Sequence, residues 1–75
     1  MKRELSKMLE IASKLCEDEK YTQALKYYKN ILRIESDNVT VITDYGVTLQ
    51  NLGCHRQALE MYDRALTITQ KIWML

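Results

Sequence analysis

The chain has 75 residues, 47% of them hydrophobic and 28% charged, a balance that suits one small globular domain and excludes a disordered polar segment. A formal net charge of +1 lacks the basic excess of a protein that lives on phosphate contacts. Proline is absent and glycine occurs only twice, so few breakers interrupt an expected all-α fold.

The first helix is expected in MKRELSKMLEIASKL. Glu4, Lys7, Glu10 and Lys14 break up its apolar runs, so it does not read as a secretory leader. Leu5, Met8, Ala12, Leu15 and Cys16 recur at spacings of three and four, the rhythm of one buried stripe. The polar run EDEK ends that rhythm. A second helix resumes it with Ala24, Leu25, Tyr28, Ile31 and Leu32, and ESDN closes it. There Asp37 or Asn38 can accept hydrogen bonds from the free N–H groups of the next helix. A third helix is expected over 39–52. Gly46 inside it costs about 1 kcal/mol relative to alanine, and close approach of the Tyr62 face is the reason to tolerate it. Gly53 follows, where a left-handed residue ends a helix at little steric cost.

The fourth helix is expected to begin near Arg56. Its tail TITQKIWML holds no Gly, Pro or Asn, so the helix should run on to Leu75. Tyr62, Ala65, Leu66, Ile68, Ile72, Trp73 and Leu75 would extend its apolar surface. No segment approaches the roughly 18 apolar residues of a membrane span. Cys16 and Cys54 stand 38 positions apart and do not form a disulfide framework, so reduced thiols and a cytoplasmic location are expected.

Compared with itself at an offset of 34, the chain pairs Leu15 with Leu49, Gln23 with Gln57, Ala24 with Ala58 and Leu25 with Leu59. Tyr28 with Tyr62, Leu32 with Leu66 and Ile34 with Ile68 complete the identities. They fall mainly on apolar positions at helical spacing, as a duplicated packing unit requires. This period, with Gly46, Gly53, Ala58, Tyr62 and Ala65 in order, resembles the tetratricopeptide repeat. Ile42, Tyr45 and Leu49 complete the second unit's match. Met8, Ile11, Ala12, Leu15, Tyr21, Ala24 and Tyr28 carry the first, where Glu19 replaces the turn glycine and Ile31 an alanine. Ser36 and Gln70 replace the usual proline. The resemblance implies a single domain over 1–75: two helix-turn-helix units, 5–38 and 39–72, in a short α-solenoid, with 73–75 as an apolar extension. Such stacks need polar caps and usually three or more repeats. Either the chain is a piece of a longer array, or it self-associates, most simply as a two-fold dimer through Ile68, Ile72, Trp73 and Leu75.

Sites of chemistry find little support. Gly46 and Gly53 lack the spacing of a phosphate loop. Cys54 and His55 are adjacent and Cys16 is remote, so no close cysteine pair offers structural zinc ligands. A nucleophilic cysteine needs a base and an orienting group that this pattern does not supply. No catalytic residue, metal or cofactor is expected, and the five tyrosines read as packing residues. The resemblance implies a concave groove on the first helix of each pair, here Ser6, Leu9, Ser13, Cys16, Thr40, Thr43, Val47 and Gln50. That lining is small, neutral and partly apolar. One family subtype grips a terminal carboxylate with Lys and Asn. Leu9, Ser13 and Asp44 stand at the corresponding places, so that clamp is missing.

The expectation is therefore a non-enzymatic protein-binding module or scaffold. An RNA-binding helical repeat using Lys26, Lys29 and Arg33, or a pure dimerisation element of a larger chain, remains the alternative.

Overall fold

The computed structural model describes the backbone of residues 2–74 and the side chains of residues 3–71. It is all-α: α1 (Lys2–Glu17), α2 (Tyr21–Ile34), α3 (Val39–Asn51) and α4 (His55–Met74), with no strand among the described residues.

The turns explain the helix ends. After α1, the Glu19 N–H donates to the Cys16 carbonyl at 3.0 Å and the Lys20 N–H to the Leu15 carbonyl at 2.7 Å. This is the Schellman arrangement, with Glu19 left-handed at φ 61°. After α3, the Gly53 N–H donates to Gln50 at 3.0 Å and the Cys54 N–H to Leu49 at 2.9 Å, with Gly53 at φ 84°. Every donor and acceptor of the second turn lies 34 positions beyond its counterpart in the first. The turn between α2 and α3 is different. Of the two cap candidates, Asn38 does the capping: its side-chain oxygen accepts from the Val41 N–H at 3.2 Å.

Each helix packs on its neighbour in sequence, α1 on α2, α2 on α3 and α3 on α4. The molecule measures 38 × 32 × 17 Å. Two helix layers occupy about 14 Å between outer Cα atoms, so the thin direction holds two layers. One core cluster is Ala12, Ala24, Tyr28, Ile31 and Val41, flanked by Met8, Leu15, Cys16, Leu32 and Tyr45. Ile42, Thr48, Leu49, Ala58 and Ala65 are buried further along the chain. At Gly46 an added Cβ would lie 2.8 Å from Tyr62 Cε1, so the glycine is where α3 and the Tyr62 ring meet.

The apolar surface of α4 differs from the expected one. Ala65 is buried and Tyr62 and Ile68 are half-buried, because they are already used in packing. Among the described residues the bare large apolar positions of α4 are Leu66, one of those expected, 59% exposed, and Leu59, which was not among them, 67% exposed. Ile72 and Trp73 fall within the α4 backbone, but their side chains, and the whole of Leu75, lie outside the described residues.

Candidate functional site

A groove follows α1 and α3, with α2 contributing to its wall. Near the helix starts lies a depression of about 270 Å³ lined by Leu5, Ser6, Leu9, Ile31, Glu35, Asn38 and Val41. Near the helix ends lies a second, about 220 Å³, lined by Ser13, Cys16, Tyr28, Asp44, Val47, Thr48 and Asn51. Of the groove residues expected from the sequence, Ser6, Leu9, Ser13, Cys16 and Val47 line these two depressions. Thr40, Thr43 and Gln50 do not. Thr40 is exposed, the Thr43 hydroxyl donates to the Val39 carbonyl at 2.9 Å, and Gln50 Oε1 accepts from the Tyr62 hydroxyl at 2.9 Å.

The expected neutral lining also needs correcting, because Glu35 and Asp44 supply a carboxylate to each depression. Asp44 was visible as the start of a helical row. Asp44, Val47, Thr48 and Asn51 follow the i, i+3, i+4, i+7 pattern of one face. Tyr28 was legible only as a packing residue. That its ring edge joins a groove depends on α1 and α3 flanking α2, which the sequence pattern does not state.

Polar contacts organise the second depression. Cys16 Sγ lies 3.8 Å from Tyr28 Oη and 3.5 Å from Thr48 Oγ1. The Thr48 hydroxyl in turn donates to the Asp44 carbonyl at 2.8 Å. Burial, with the Cys16 contact second, holds the Tyr28 phenol well above its ordinary value. Burial also raises the Asp44 carboxyl above its ordinary value. At the other depression, the Asn38 side-chain N–H donates to Glu35 Oε1 at 3.1 Å.

Elsewhere, a shallower depression of about 260 Å³ between α2 and α4 has an apolar floor of Leu32, Tyr45 and Met61 rimmed by Lys29, Arg33 and Arg64. Lys26 is exposed and does not line it. Arg64 is partly committed, donating to the Ser36 carbonyl at 2.7 Å. Cys54 and His55 are exposed, and both cysteines are free thiols. No group of three or more His, Cys, Asp or Glu able to hold a metal occurs among the described residues. Among the described residues no helix is long and apolar enough to cross a membrane.

No family model matches the chain, and no curated protein or solved structure matches it either.

Proposed function

We propose that the chain is a non-enzymatic protein-interaction module: two tetratricopeptide-type helix pairs in a short solenoid, self-associating through the outer face of α4. The exposure of Leu59 and Leu66 carries this reading. They stand 34 positions beyond Leu25 and Leu32, both half-buried, with Leu32 beside Tyr45 of α3 and Met61 of α4. The face that α2 covers is therefore repeated on α4 and left open there. The repeated turn hydrogen bonds support the same duplication.

The other end of the stack has a different character. The matching exposed row on α1 is Glu4, Lys7, Ile11 and Lys14, in which only Ile11 is apolar. A polar end and an apolar end disfavour head-to-tail stacking. They favour a two-fold pairing of α4 with α4, the closed solution for a single apolar face.

The test is solution mass by sedimentation equilibrium across concentration, for the native chain and for the double variant Leu59→Gln/Leu66→Gln. The native chain is expected to move from monomer toward dimer, and the variant to stay monomeric with unchanged helicity. A native chain that is monomeric at every concentration sinks the self-association reading.

A second reading has one observation in its favour, the rim of Lys29, Arg33 and Arg64. If the chain binds RNA, titration with labelled single strands will show affinity that falls steeply with salt. Absence of binding at low salt removes that reading.

A further inference from the structure

The groove along α1 and α3 has a charge imbalance. Each depression is lined by one carboxylate, and neither is lined by a lysine or an arginine. The chain as a whole carries 11 Lys and Arg against 10 Asp and Glu, so the imbalance is local. Along the stretch of α1 that joins the two depressions, lined by Ser6, Leu9 and Ser13, Glu10 and Glu17 outnumber Lys14.

The two carboxylates are not equivalent. Glu35 already accepts from the Asn38 amide. Among the described residues no side-chain donor bonds the Asp44 carboxylate, and the only cause acting on its acidity is desolvation. A neighbouring cation would act in the opposite direction. Tyr28, 3% exposed, meets the Cys16 sulfur at 3.8 Å with its hydroxyl and has Ser13 as a further hydrogen-bonding neighbour. The Ser13 hydroxyl and the Asn51 amide complete the wall. A partly desolvated carboxylate with hydroxyl and amide oxygens around it favours a cationic hydrogen-bond donor over a neutral or anionic group. It also repels a phosphate chain. The other depression offers Leu5, Leu9 and Ile31, an apolar seat on the same groove.

We infer that this groove docks a basic peptide segment of a partner protein, with one lysine or arginine head against Asp44 and an apolar side chain seated on Leu5, Leu9 and Ile31. The crevice of about 220 Å³ admits a side chain rather than a folded surface, which is why the occupant is a peptide. This inference rests on reading the chain as a protein-interaction module, but it concerns a different face from the α4 contact.

Selection from a displayed random-peptide library, with the full chain as bait, tests it. The native-selected peptides should share a lysine or arginine, and replacing that residue by norleucine or citrulline should weaken binding about tenfold in fluorescence anisotropy. Asp44→Asn should lose the same factor toward the parent peptide and nothing further toward the replaced one, which closes a double-mutant cycle. Asn51→Lys, at the exposed rim, brings a cation into the crevice without touching the core and should weaken the same peptides. Peptides that bind tightly but lack a basic residue, or that ignore both variants, overturn the inference and leave the module reading intact. A library that yields no binder at all also overturns the inference, while the self-association reading stands or falls on solution mass.

Discussion

Glu19 holds φ 61°, a conformation in which an L side chain crowds the following carbonyl at a cost of roughly 1–2 kcal/mol. Gly53 does the same work at φ 84° with no side chain to crowd. Glu19→Gly should therefore stabilise the fold. The gain is about 0.5–1 kcal/mol, because the more flexible unfolded glycine takes back part of the relief. Urea denaturation followed by circular dichroism reads it, and an unchanged midpoint would show that the turn already accommodates Glu19 without strain.

Gly46→Ala should go the other way. The new methyl meets the Tyr62 ring at 2.8 Å, and overpacking of about 1–3 kcal/mol outweighs the roughly 1 kcal/mol that alanine adds to helix propensity. In a Tyr62→Ala background the obstacle is gone, and the same change should stabilise. Asp44 adds a pH dependence. Burial raises its folded-state value above the ordinary 3.8, so the folded chain holds that proton more tightly than the unfolded chain. Its contribution is fully present below about pH 3.8 and is lost as pH rises through the folded-state value. Relative to Asp44→Asn, the native chain should therefore lose stability on going from pH 3 to neutrality. Parallel denaturation curves across that range would contradict it.

At the level of elements, the four helices were legible because their signals are local. The stripe from Leu5 to Cys16, the EDEK break, the ESDN cap and Gly53 each act within a few residues. The remaining boundary shifts were small: α3 ends at Asn51 and not at position 52, because Leu52 belongs to the closing turn, its N–H shared between Thr48 and Leu49. The groove was only half legible. The α1 positions Ser6, Leu9, Ser13 and Cys16 came from the family resemblance, which also put Asp44 beside Leu9 and Ser13, whereas Glu35 and Tyr28 join them only through packing between helices. In α4, Ala65 looked available from the pattern but is buried, whereas the approach of Tyr62 to Gly46 was legible from the glycine itself.

At the start of α3 one side chain ties two elements together. Asn38 both accepts from Val41 N–H and donates to Glu35, joining the end of α2 to the start of α3. Asn38→Ala should cost about 1 kcal/mol, and Asn38→Asp should recover the cap while placing a second carboxylate beside Glu35. Thermal melts of the two variants separate the cap from the α2 contact.

For the whole molecule, sequential packing sets how stability is distributed. α2 and α3 have packed neighbours on two sides, whereas α1 packs chiefly on α2 and α4 chiefly on α3. In such a one-dimensional arrangement the terminal elements open first. Amide hydrogen exchange on the dilute chain should show the slowest exchange in α2 and α3 and faster exchange in α1 and α4. The proposed self-association through Leu59 and Leu66 would change only one end of that gradient. As concentration rises, protection should grow in α4, and through its packing in α3, while α1 keeps its rate. The melting temperature should climb with concentration for the same reason, since association stabilises the folded form by mass action. With Leu59→Gln/Leu66→Gln both effects should vanish and the dilute pattern remain. Protection that rose equally in α1 and α4 would instead mean that both ends are covered, as in head-to-tail stacking, and would overturn the two-fold pairing.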